Sequence, residues 1–133
     1  MTLFFRGLAR VDLAAADLGP VRGAFYDDAK FEAEQGGFVA WVRRYAERVH
    51  GAGVTDEERR ARMDAVNPRF VLRNYLAQEA IDLAAAGDPS RILELLEAAR
   101  HPYEERPASD RFCARRPDWA RNRPGCSMLS CSS

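Results

Sequence analysis

One lysine, Lys30, stands against a crowd of arginines in these 133 residues. Lysine commonly supplies the point charge that grips a transferring phosphate, and Lys30 sits in the polar stretch Tyr26-Asp27-Asp28-Ala29-Lys30, remote from any phosphate-loop pattern. Glycine is no better placed for that chemistry. A phosphate cradle needs closely spaced glycines between a strand and a helix, whereas Gly51-Ala52-Gly53 leaves a helix. The 2 histidines, His50 and His101, each fall near the C-terminal end of a predicted helix, where a partial positive charge favours the dipole. No Ser or Cys has a histidine close in sequence, and no Gly-x-Ser-x-Gly elbow occurs.

The 3 cysteines, Cys113, Cys126 and Cys131, are odd in number and crowd toward the end, unlike the disulfide framework of a secreted domain. With His101 they could formally ligate zinc, but their spacing matches none of the compact patterns. No apolar run approaches the ~18 residues of a membrane span, and Met1-Thr2-Leu3-Phe4-Phe5-Arg6 has no secretory core or cleavage site. A cytoplasmic location without a membrane partner is the expectation. Lys+Arg and Asp+Glu are both 20, so no net field draws in a polyanion and no nucleic-acid partner is expected. The basic stretch from Arg111 to Arg123 reads as a solvated tail. The carboxylates Asp27-Asp28, Asp56-Glu57-Glu58 and Glu104-Glu105 read as solvated surface without a convergent partner.

What is present is the composition of a globular protein, 47% hydrophobic and 30% charged. A chain of this length buries roughly two-thirds of its unfolded surface. Caps, prolines and helical periodicity predict an all-α fold with helices near 3–16, 38–50, 56–66, 68–86 and 89–100. The first places Leu3, Phe4, Leu8, Val11 and Ala15 on one side, and the stretch from Val21 to Gly37 reads as a loop with a short helical turn. Phe38, Trp41, Val42, Tyr45 and Val49 mark the second. Gly51-Ala52-Gly53 offers a left-handed exit, and Thr55 with Glu58 three residues on reads as a capping box. Asn67-Pro68 predicts a cap and first position for the fourth helix, whose buried stripe is Leu72, Leu76, Ala80 and Leu83. Asp88-Pro89 repeats the device, with Ile92, Leu95, Leu96 and Ala99 turned inward. The organisation expected is a helical region over 1–102 and an extended Pro/Arg-containing tail over 103–133, anchored at most by Tyr103, Phe112 and Trp119.

The run Arg62-Met63-Asp64-Ala65-Val66-Asn67-Pro68-Arg69-Phe70-Val71-Leu72-Arg73-Asn74-Tyr75-Leu76-Ala77-Gln78 resembles the signature of the selenoprotein O family, also called the YdiU family. Thr2-Leu3-Phe4-Phe5-Arg6, His101-Pro102-Tyr103 with Glu104-Glu105, Pro117-Asp118-Trp119-Ala120 and the final Ser130-Cys131-Ser132-Ser133 follow in the family's order. Asn122-Arg123-Pro124-Gly125-Cys126-Ser127-Met128 departs from it, since family tails run more directly to the final Cys-Ser-Ser.

The resemblance implies the C-terminal portion of a longer protein adenylyltransferase with a protein-kinase-like fold. Such a protein binds ATP and magnesium and transfers AMP to hydroxyl side chains of other proteins. Its nucleotide-binding, catalytic and metal residues lie upstream of the matched part, so none is assigned here. Met1 at a position internal to the family suggests a truncated reading frame, whose partner is the missing upstream catalytic region. The resemblance also points to Cys131 as a redox thiol, because some members carry selenocysteine third from the end. Its place in a terminal segment with only Ser132 and Ser133 after it predicts exposure, and a disulfide to the upstream region is the expected pairing, with Cys126 the other candidate partner. The competing function class is a free-standing helical interaction module.

Overall fold

The computed structural model describes residues 2–126, and all regular structure among them is helical. Two compact units divide the chain, one up to Pro68 and the other from Arg69. Each closes its own buried cluster. The all-α expectation holds, while several helix bounds differ for reasons that lie in the packing.

In the first unit α1 spans Thr2–Leu8, α2 Gly19–Arg22, α3 Asp28–Gly51 and α4 Asp56–Val66. The helix predicted over 3–16 stops at Leu8. The Asp12 carboxylate accepts from the amides of Ala14 and Ala15 at 2.9 and 3.1 Å, offering the backbone an alternative to the helical ladder. Leu8, Val11, Leu13 and Ala16 are buried all the same, but Ala15 is exposed. A Cβ on Gly7 would stand 2.4 Å from the Pro20 carbonyl oxygen, so glycine is what lets the α1 and α2 backbones approach.

Of the stretch from Val21 to Gly37, predicted as a loop with a short helical turn, the part up to Asp27 follows that reading, whereas Asp28 to Gly37 is instead the N-terminal part of α3. Asp27 caps it by accepting from the Lys30 amide at 2.9 Å. The helix then passes straight through Gly36 and Gly37, each of which costs about 1 kcal/mol relative to alanine. Burial of Phe31 against Phe25 and Phe38, with ring centroids 4.8 and 6.0 Å away, offsets that cost. The exit is as expected, with Gly53 at φ 69°.

Helix α4 has almost no apolar stripe and is held by its polar groups. Thr55 and Glu58 form the capping box, the two amides being bound at 3.2 and 3.0 Å. Arg59 is buried and donates to the carbonyls of Leu8 and Val11 at 2.8 and 2.9 Å, with Asp56 at 3.3 Å. Asp64 pairs with Arg6 at 2.9 Å and with Arg10 at 3.2 Å.

In the second unit α5 spans Asn74–Ala85, α6 Ser90–Arg100 and α7 Asp110–Cys113. The predicted helix start at Asn67-Pro68 is corrected. Asn67 closes α4, its side-chain amide donating back to the Met63 carbonyl at 2.8 Å, and its extended backbone is the conformation favoured before proline. The next residues stay out of helix because the amides of Arg69 and Phe70 both donate to the Pro102 carbonyl, at 2.7 and 3.0 Å. Leu72 is therefore exposed, while Leu76 and Ala80 are buried as expected.

Gly87, at φ 93°, and Asp88, which accepts from the Ser90 amide at 3.0 Å, join α5 to α6. The inward face of α6 is Leu95 and Ala98, with Arg91 half-buried over Phe112. Ile92, Leu96 and Ala99, predicted inward, are exposed. Beyond Pro102 the chain is irregular but folded back. Single 3-10 turns occupy Pro107–Ser109 and Asp118–Ala120, and Phe112, Cys113, Ala120 and Cys126 are core residues.

Candidate functional site

Cys131, the thiol singled out by the resemblance, lies outside the described residues. Cys113 and Cys126 are free and buried, and the Cys113 Sγ donates to the Ser109 carbonyl at 3.5 Å. His101 caps α6 with its Nδ1 3.0 Å from Glu104 and its Nε2 3.5 Å from Glu97. His50 lies exposed in the last turn of α3. Among the described residues no group of three or more side chains is arranged to hold a metal ion.

Arg111, Arg115, Arg121 and Arg123 are exposed, as expected of solvated charges, but Arg111 and Arg123 are also paired with other elements. Arg111 reaches Glu94 at 2.6 Å and Arg123 reaches Asp82 at 2.6 Å, tying the irregular segment to α6 and α5. The acidic runs also have local structural roles. Glu58 is drawn below the usual carboxylate range by the Thr55 amide and hydroxyl. Asp88 is lowered in the same way by the Ser90 amide and hydroxyl. Hydrogen bonding from Arg106 lowers Glu97, and Glu105 pairs with Arg69 at 3.2 Å.

The feature that sequence reasoning missed is an aromatic face formed by α1, α3 and the segment that leads into α3. Phe25 lies edge-on to Phe4 and Phe38, centroids 6.2 and 5.2 Å apart, and Trp41 stacks on Tyr45 at 5.5 Å. Two neighbouring concavities open on it and share Glu34 and Phe38. One, of about 450 Å³, lies between Phe25, Tyr26, Lys30 and Phe31. The other, of about 300 Å³, is bounded by Phe4, Gly37 and Trp41. Tyr26 and Trp41 are 51% and 38% exposed. Reading Phe31, Phe38 and Val42 at helical spacing across the glycine pair would have found this face, with Asp27 as its cap. Such a surface suits apolar or aromatic side chains, with a cation placed near Glu34.

These features define an all-α segment with an open aromatic face. No family model matches the chain. Over all 133 residues it is 56% identical to the protein nucleotidyltransferase YdiU of Aromatoleum aromaticum, covering 100% of this chain and 25% of that protein. It is 54% identical to the proteins of the same name from Xanthomonas axonopodis pv. citri and Azoarcus sp., covering 100% of this chain and 26% of each relative. The chain belongs to the YdiU family and corresponds to the C-terminal portion of its members, about a quarter of their length.

Helices α1 to α7 among the described residues include none long and apolar enough to cross a membrane.

Proposed function

We propose that the chain is the C-terminal, non-catalytic part of a cytoplasmic protein adenylyltransferase. The whole protein binds ATP and magnesium and transfers AMP to hydroxyl side chains of other proteins, releasing pyrophosphate. The preceding part, of kinase-like fold, carries the nucleotide, the metal and the catalytic groups. The observation behind this reading is the match of the whole chain to only about a quarter of the length of the YdiU nucleotidyltransferases. Phosphoryl-group chemistry depends on positioned cations around the phosphates. The single lysine is on the aromatic face, and the paired arginines named above are bound to carboxylates or backbone carbonyls. With labelled ATP, the full-length Aromatoleum aromaticum relative is expected to incorporate AMP into protein, and the 133-residue chain to incorporate none. Incorporation by the chain alone, lost on mutation within it, would place the active site here instead.

A second reading, a free-standing helical interaction module, is favoured by the two buried clusters, each closed within its own unit. Such a module is monodisperse in gel filtration and binds little of a dye for exposed apolar surface.

Cys131 is proposed as the redox thiol, forming a reversible disulfide with a thiol of the preceding part as two electrons and two protons pass to a cellular oxidant. Burial of Cys113 and Cys126 supports this choice. Under mild oxidation Cys131 should be alkylated fastest of the three when left reduced. Equal rates, together with unchanged redox sensitivity when the corresponding residue of the full-length relative is replaced by serine, would dismiss it.

A further inference from the structure

We propose that the aromatic face of α1, α3 and the segment that leads into α3 is the surface on which the preceding three-quarters of the YdiU protein packs. The inference rests on the reading of the chain as one part of that longer protein, and adds the place of contact. Three observations support it.

The first is cost. Tyr26 and Trp41 keep 51% and 38% of their surface in water, beside two concavities that converge on Phe38. Contiguous aromatic surface of this kind marks an interaction site in soluble proteins, and aromatic residues are enriched in interface cores.

The second is Gly37. It sits inside the 24-residue helix α3, yet no atom lies within 4 Å of the place its Cβ would occupy. Nothing among the described residues uses the missing side chain, although glycine weakens a helix interior. Gly37 lines the concavity between Phe4 and Trp41, where its lack of a side chain leaves room for a docked backbone. Gly36, one residue earlier, points about 100° away around the helix and lines neither concavity.

The third is position and length. The relatives carry roughly three times this chain's length again, and the match is to their C-terminal portion, so the additional chain joins at the α1 end. Phe4, on α1, is part of the face. The additional chain is therefore tethered beside it, and a tethered partner binds at an effective concentration in the millimolar range for short linkers. The docking segment is apolar or aromatic, with a basic side chain set to meet Glu34 between the two concavities.

Site-resolved maleimide labelling tests the assignment. Cysteine is introduced by Tyr26→Cys, Trp41→Cys and, on the opposite side of α3, Glu47→Cys, both in the 133-residue chain and at the aligned positions of the full-length Aromatoleum aromaticum relative. Positions 26 and 41 should label at least tenfold more slowly in the full-length protein, and position 47 at the same rate in both. Hydroxyl-radical oxidation of the unsubstituted proteins at the same positions gives the comparison without any substitution. Equal labelling at 26 and 41 in the two proteins overturns the proposal. So does slow labelling in the short chain itself, which means that its own segments cover the face, or slowing with concentration, which means that a second copy does. AMP transfer by the full-length relative, measured on the same samples, separates the two ideas: transfer without protection sinks only the docking surface, and protection without transfer sinks only the adenylyltransferase reading.

Discussion

The two units reach a folded state by different means. In the first, aliphatic side chains with Phe31 make the core, further rings pack at its edge, and α4, which has little apolar surface, is fastened through Arg59 to carbonyls and through Asp64 to Arg6 and Arg10, about fifty to sixty residues away in sequence. In the second, a short helical hairpin provides the frame, and an irregular segment closes the core with Phe112, Cys113, Ala120 and Cys126. Polar clamps depend on geometry, because each buried donor must meet its acceptor or cost its full desolvation. Apolar closure depends on volume and tolerates irregular backbone. One tryptophan falls in each unit, Trp41 and Trp119, so single-tryptophan variants report the two separately.

The largest effect is expected from Phe112→Ala, which removes a 2% exposed ring from the second core. Loss of about 3–5 kcal/mol should appear in the urea transition followed by Trp119. If the Trp41 transition moves equally, the units are one cooperative body and the contrast drawn above fails. Arg59→Met should cost about 3 kcal/mol in the Trp41 transition, since two backbone carbonyls lose a charged donor while the methionine restores part of the packing. A loss under 1 kcal/mol would show that packing, not the clamp, holds α4.

Thr55→Ala should lower the stability of the first unit by about 1 kcal/mol through loss of the cap. The same box gives a pH dependence. Glu58 has a folded-state pKa below its unfolded value, so its contribution is complete above the unfolded pKa and is lost as pH falls through the lower, folded one. Asp88 gives the second unit a dependence of the same sign. Glu58→Gln should flatten the acid limb seen by Trp41 alone, and Asp88→Asn that seen by Trp119 alone. The smallest effect is a gain: Gly36→Ala, on an open face of α3, should stabilise the first unit by up to about 1 kcal/mol in thermal melts. Loss of stability there would mean that the helix needs the glycine.

Elements with local punctuation were legible in the sequence. The capping box at Thr55 and Glu58, the glycine exit at Gly53 and the turn at Gly87-Asp88 stand where side chains and backbone bond within a few residues. Asn67-Pro68 carried equally good punctuation and misled, because an asparagine before proline serves as well to end a helix as to begin one. The aromatic face was hidden for the opposite reason. Gly36-Gly37 look like a break, and only the contact of Phe31 with Phe25 and Phe38 makes the helix through them favourable. Exposure of the arginine-rich segment was legible, but its pairing was not, because the carboxylate partners of Arg111 and Arg123, Glu94 and Asp82, lie 17 and 41 residues earlier.

Sequence by itself determined the all-α class, most helix termini that rest on local capping and, through its long signature run, the family. Such features depend on groups within about one helical turn, whose bonding is settled by residue type and spacing. Tertiary structure decided where α1 stops, that α3 extends back to Asp28, that residues 68–73 stay out of helix, and which faces of α3 and α6 meet a core. At each of these places local preference is worth about 1 kcal/mol or less, and a buried ring or a pair of amides bound to the Pro102 carbonyl outweighs it.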